Sequence, residues 1–162
     1  MIHELSGDIL FSGAKAIVQG VAPNDDFHQG LALQLREHMP AMYKDFRHYC
    51  HTQHPKAGEL WTWMSADGRY LVNLFTQDAA YEHGSKPGHA TLVHVNHSLH
   101  ALRALVQKEQ IASLALPRLA CGVGGLDWNE VRALIEKHLG DLGLPVYVYV
   151  DYHKGVKAGE PQ

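Results

Sequence analysis

The chain reads as an α/β protein, a sandwich built on a mixed β-sheet. Three observations predict this. Apolar segments of strand length alternate with segments of helical periodicity along most of the chain. A Ser65-Ala66-Asp67-Gly68 turn between two strand-like runs marks one antiparallel hairpin. An apolar run, residues 111–116, passes through Pro117 into a loop with three glycines in four residues, Gly122, Gly124 and Gly125, and then into a helical segment from Asp127. Strand, glycine loop and helix N-terminus form the local design for holding an anion, because glycine lets backbone N–H groups approach a phosphate closely. The same glycines also suit a plain strand-to-helix turn.

The elements follow in order. Residues 2–4 read as a short strand, and Asp8 just beyond suits an Asx-type turn or a ligand contact. Residues 14–21 read as a buried strand centred on Ile17 and Val18, ending in the turn chemistry of Ala22-Pro23-Asn24-Asp25-Asp26. A helix opens at residues 27–32, and Pro40 ends or kinks it. A second helical piece, residues 42–49, places Met42, Phe46 and Tyr49 on one face. Residues 59–64 and 70–76 form the hairpin strands. A long polar loop covers 77–88, and residues 90–106 are an amphipathic helix. After the glycine loop comes a helix over 127–139, stopped by Gly140-Asp141-Leu142-Gly143. Residues 145–150, PVYVYV, are the last strand, and a small, polar tail from Lys154 is expected to fray. In such sheets ligands collect at the carboxyl ends of strands, which points to Asp8, residues 22–30, 75–78 and 117–126.

The totals narrow the function. At 162 residues one domain is expected, occupying 1–153 with 154–162 as a flexible tail. A net charge of -3 argues against general nucleic-acid or membrane-surface binding. MIHELSGDIL lacks the pattern of a secretory signal, and no apolar stretch has the length of a membrane span. The expected setting is the cytoplasm, with Cys50 and Cys121 as free thiols. Histidine is abundant, at 13 residues. His48, His51 and His54, and again His94, His97 and His100, recur at a spacing of three, a pattern a metal could bridge. No cysteine or carboxylate joins either series at a ligand spacing, so they read as polar helix faces and no metal or cofactor is expected.

Several segments together resemble the macrodomain family, which binds ADP-ribose. The anchors are Gly7-Asp8-Ile9-Leu10, Gly30-Leu31-Ala32, Phe75-Thr76, Lys86-Pro87, Leu116-Pro117-Arg118, Cys121-Gly122 and Leu126-Asp127-Trp128. The similar branch includes terminal ADP-ribose protein glycohydrolase and the DNA ADP-ribosyl glycohydrolase antitoxins. The resemblance implies a three-layer α/β/α fold with a mixed central sheet of about six strands. It implies an adenine amino group bound by Asp8, with Ile9 in the same pocket. It implies a diphosphate cradled by Cys121, Gly122, Val123, Gly124, Gly125 and Leu126. The turn through Gln29 and Gly30 would close over the distal ribose, and Tyr149 or Tyr152 would stack on adenine. The implied partner is ADP-ribose or an ADP-ribosylated substrate.

The chain also departs from that branch. The glycohydrolases carry a lysine nucleophile after the Phe-Thr pair, and here that position is Gln77, which cannot form a Schiff base. The position of a loop aspartate in the protein-directed enzyme falls at Gly124. His28 and Gln29 stand where relatives have glycine or another small residue. Three readings remain open. The first is hydrolysis of an ADP-ribosyl linkage or of ADP-ribose 1''-phosphate, with His28 or a carboxylate of Asp25 or Asp26 activating water; histidine's pKa near 6.5 suits that work. Related phosphatases likewise lack the lysine. The second is a reader that binds without turnover. The third is a pocket adapted to another nucleotide-like ligand. Each candidate also has a plainer role open to it: His28 as a surface residue, Asp25 and Asp26 as helix-entry residues, Gln77 as a solvated loop residue and Cys121 as small-residue packing.

Overall fold

The computed structural model describes residues 1–79, 88–122 and 124–161. The elements are β1 (Ile2–Gly7), a single 3-10 turn (Ile9–Phe11), β2 (Ala16–Val21), α1 (Gly30–His38), α2 (Pro40–Gln53), β3 (Leu60–Met64), β4 (Tyr70–Phe75), α3 (Leu92–Glu109), β5 (Leu114–Pro117), α4 (Trp128–Leu139) and β6 (Val146–Tyr152). The strands form one six-stranded sheet in the order β1-β6-β5-β2-β4-β3. Every neighbouring pair is parallel except β3 and β4.

Side-chain alternation divides the core between the two faces of the sheet. Ala16 and Val18 of β2, Val72 and Leu74 of β4, and Val146 and Val148 of β6 pack with Val95, Leu99 and Leu102 of α3 and Val131 and Ile135 of α4. Ile17 and Val21, Leu71 and Phe75, and Tyr147 and Tyr149 point the other way, to Leu35 of α1 and Met42 and Phe46 of α2. The three layers are therefore α1/α2, sheet, and α3/α4. The inner strands β2, β4 and β5 are almost wholly buried, which is why they read as continuous apolar runs.

Several boundaries differ from the sequence expectation. The first helix begins at Gly30, not residue 27, because Phe27 has φ 51 and Gln29 is fully extended. Pro40 does not simply end that helix. It opens α2 near its first position, where its missing N–H costs nothing. Strand β5 starts at Leu114, three residues late, because residue 111 closes the C-terminal cap of α3: Ile111 N–H donates to the Val106 carbonyl.

The C-terminal residues, expected to fray, are bound to the body instead. Gly155 N–H donates to Asp8, Ser12 and Gly13 donate to Glu160, and Tyr147 donates to the Pro161 carbonyl. Ala158 joins the α1/α2 core. Local composition could not reveal this, because Asp8, Ser12 and Gly13 lie about 150 residues from their partners in sequence.

Candidate ligand-binding site

Five parallel strands bring their carboxyl ends to one edge of the sheet, and the candidate residues stand there. Beyond β1, Asp8 is only 3% exposed. Its Oδ1 accepts Leu10 N–H at 3.1 Å and its Oδ2 accepts Gly155 N–H at 2.9 Å. The turn role read from sequence is thus filled, and Ile9 lies beside it in the core.

A cavity of about 290 Å3 opens at this edge. Gly7, Ile9, Pro117, Tyr149 and Tyr152 line it from the strand ends, and Gly30, Leu31 and Gln34 from α1. Its walls are mostly apolar, the usual character of a site for a flat ring. Tyr149 is nearly buried, and its hydroxyl donates to Glu160 Oε2 at 2.7 Å. Burial pushes that phenol far above its ordinary range, and the Glu160 hydrogen bond adds to the shift. Tyr152 is half exposed, and its hydroxyl accepts Gln34 Nε2–H at 2.9 Å.

The turn after β2 is built around Asp25. Its Oδ2 accepts Ala22 N–H and its Oδ1 accepts Phe27 N–H, so this carboxylate closes a turn and caps no helix. Phe27 takes a left-handed backbone conformation while fully buried, its ring 4.6 Å from that of Phe46. Outside it, His28 Nδ1 lies 2.6 Å from Asp26 Oδ1. Both side chains are more than 60% exposed, at 63% and 62%. Arg36 donates to the Asp26 carbonyl and steadies the pair. From this turn the cavity lining takes in Gly30, whereas Asp26, His28 and Gln29 stand outside it.

At the end of β4, Thr76 and Gln77 are buried. Gln77 is not a solvated loop residue: its Nε2 donates to the Gly88 carbonyl at 2.8 Å, and its backbone bridges to Ala90. Ala90 N–H in turn donates to the Gly124 carbonyl, so the end of β4 is tied to the glycine loop.

That loop is wound tightly. Ala120 has φ 62 and Gly125 has φ 76. A Cβ on Gly124 would lie 2.5 Å from the Ala120 carbonyl oxygen and 2.8 Å from Ala90 Cβ, whereas one on Gly122 would meet open space. The N–H groups of Cys121, Gly125 and Leu126 are used inside the loop, donating to Arg118, Gly122 and Ala120 carbonyls. Within the loop expected to cradle a diphosphate, these three amides are already engaged. Asp127 caps α4 by accepting Glu130 N–H. Cys121 Sγ contacts the Leu119 carbonyl, and burial pushes its thiol up, outweighing the opposing charge of Arg118. Val123 and the Lys86-Pro87 anchor lie outside the described residues.

Among the described residues, neither histidine series belongs to a group of ligand atoms that could hold a metal. His94 pairs with Asp78, and His100 sits edge-on to His138. Among the described residues, the metal-type ligand atoms that group within 4.8 Å belong to Asp25, Asp26 and His28. Asp25 is committed to its turn, and two exposed side chains remain. Sequence reading passed over Gln34 and Glu160. Gln34 is recoverable in principle, one helical turn after Gly30 on the same face. Glu160 carries no local signal.

No family model matches the chain. Over 94% of its length it is 27% identical to the DNA ADP-ribosyl transferase-DNA ADP-ribosyl glycohydrolase fusion protein of Thermosipho africanus, and it spans 42% of that protein. Over 60% of its length it is 32% identical to human ADP-ribose glycohydrolase OARD1, spanning 59% of it. The solved macrodomain of Thermus aquaticus DarG superposes with a TM-score of 0.81 at 28% identity, over 93% of this chain and 98% of that one. The chain has the macrodomain fold.

Proposed function

We propose that this chain binds ADP-ribose across the carboxyl edge of the sheet and serves as an ADP-ribosyl hydrolase. The observation that carries this is Pro117. It lines the apolar cavity and is also the last residue of β5 before the glycine loop. A flat ring in the cavity and a diphosphate at the loop would then lie one chain turn apart, as the two halves of one ligand require. In this reading the adenine lies over Ile9 beside Asp8, against Tyr149 and Tyr152. The diphosphate takes its donors from Gly122, Val123 and Gly124, and the distal ribose meets the turn at Gln29-Gly30, near Gln77. The names of the relatives, a DNA ADP-ribosyl glycohydrolase and an ADP-ribose glycohydrolase, support an ADP-ribosyl group as the substrate.

Turnover would use the His28–Asp26 pair. The Asp26 carboxylate orients the imidazole, and the free ring nitrogen takes a proton from water as that water attacks the distal ribose carbon or the terminal phosphorus; the bond from that atom to its leaving group breaks, and the leaving group takes up the proton the imidazolium gives back. One observation favours the second reading, a non-catalytic reader. The lysine position is held by the Gln77 amide, fixed on the Gly88 carbonyl. The proposed setting is cytoplasmic, consistent with two free thiols and, among the described residues, no helix long and apolar enough to cross a membrane. General nucleic-acid binding is not part of the proposal.

Calorimetry with ADP-ribose tests the binding: saturable heat is expected, and no heat at millimolar ligand rejects the reading. Assays on ADP-ribosylated DNA, ADP-ribosylated protein and ADP-ribose 1''-phosphate separate hydrolase from reader. Activity that survives His28→Ala unchanged would remove the acid–base role.

A further inference from the structure

The segment after β6 has no regular secondary structure, yet it is tied to three other parts of the fold. His153 N–H donates to the Gly7 carbonyl and Asp8 N–H donates to the Val156 carbonyl. Gly155 N–H donates to Asp8 Oδ2. The Glu160 carboxylate then gathers three donors: Ser12 Oγ–H at 2.5 Å, Gly13 N–H at 2.9 Å and Tyr149 O–H at 2.7 Å. Gly7 makes the close approach possible. Its φ is 151, and a Cβ there would come 2.8 Å from the Val156 carbonyl oxygen. Ala158 packs into the same core cluster as Ile9 and Tyr149.

We infer that residues 153–161 form a strap that sets the purine end of the cleft, with Glu160 as its clasp and a specificity-determining positioning residue. This rests on the ADP-ribose reading of the site. Two walls of the cavity, the turn after β1 and strand β6, are joined through one carboxylate. The strap also fixes Asp8. With Leu10 N–H on one oxygen and Gly155 N–H on the other, the carboxylate cannot rotate, and its remaining lone pairs keep one direction. A carboxylate aimed in this way accepts from an amino group and repels a carbonyl oxygen at the same place. The strap therefore selects adenine, which presents an exocyclic amine, over hypoxanthine, which presents a carbonyl. Releasing Glu160 frees the Tyr149 hydroxyl, loosens the strap and lets Asp8 turn.

The test compares ADP-ribose with its hypoxanthine analogue on wild type, Glu160→Ala, Glu160→Gln and Tyr149→Phe. Wild type prefers the adenine form. In Glu160→Ala that preference falls by about fivefold or more, the scale of one lost hydrogen bond. Glu160→Gln, which keeps an acceptor oxygen, recovers part of it. Tyr149→Phe keeps the ring and removes one of the three donors, so it lowers the preference without the risk of unfolding. The ratio between two ligands is the readout because general loosening weakens both alike. A folded Glu160→Ala and a Tyr149→Phe that discriminate as wild type does would overturn the strap's role alone. A wild type that binds neither nucleotide overturns the ADP-ribose reading, and this inference with it.

Discussion

Gly124 lies directly beneath Ala120: a Cβ on Gly124 would stand 2.5 Å from the Ala120 carbonyl oxygen. Backbone, not a movable side chain, fills that space, and the Ala120 carbonyl is itself held by Leu126 N–H. The glycine is therefore required by the winding of the loop. An acid placed here would not restore a relative's chemistry. Gly124→Asp is expected to cost about 1–3 kcal/mol, the range for overpacking, and to weaken ADP-ribose binding at least tenfold. Thermal melts and calorimetry check both, and a Gly124→Asp protein as stable as wild type would show that the loop opens freely.

Phe27 combines two opposing effects. Its left-handed backbone is costly for a bulky residue, while its ring is fully buried against Phe46 and Tyr43. Packing wins, because truncating a buried aromatic costs about 3–5 kcal/mol against about 1–3 for the strain. Phe27→Ala should lower the denaturant midpoint strongly, and Phe27→Gly only somewhat less, since glycine relieves the strain and still loses the ring. Equal midpoints for wild type and Phe27→Gly would mean that the ring contributes nothing net.

Gln77 offers a test of where the distal ribose lies. Gln77→Lys loses the bond to the Gly88 carbonyl and puts an amine at the end of β4. With ADP-ribose present, borohydride should trap a covalent adduct on this variant and none on wild type, detected as a mass shift. A variant that binds ADP-ribose and is never trapped would place the ribose elsewhere.

His138 is nearly buried, its Nε2 2.7 Å from Asn96 Oδ1. Burial lowers its pKa first, and the nearby charges of Lys137, His100 and Arg103 lower it further. The folded state thus favours the neutral ring. The resulting stability is complete above the unfolded value of about 6.5 and is lost as pH falls through the lower folded value. The thermal midpoint should therefore drop in mild acid, and His138→Gln should flatten that limb. An unchanged acid limb in the variant would assign it to other groups.

Cys121 is predicted to be a poor nucleophile despite its place in the loop. Burial raises its thiol pKa, and the neighbouring Arg118 only partly offsets this. Alkylation by iodoacetamide should be slow at neutral pH and should rise only above the range of a free thiol. Rapid labelling at neutral pH would contradict the burial argument.

Apolar runs, turn residues and helical repeats determined the six strands, the antiparallel hairpin and the helices, because these patterns are local properties of the chain, whereas the three-layer arrangement was implied by the family resemblance. The glycine loop was legible for the same reason, and so was the turn role of Asp8. Three things depended on residues far apart in sequence. The Gly124–Ala120–Ala90 contact shows which glycine is structural and which faces open space. The Phe27 conformation moves the helix start to Gly30. The union of Glu160 with Ser12, Gly13 and Tyr149 ties an ordinary polar tail to the elements that line the cleft. Local composition carries no record of such contacts. The Glu160 contacts exist only once the parallel sheet has brought the two ends of the chain onto adjacent strands, β1 and β6.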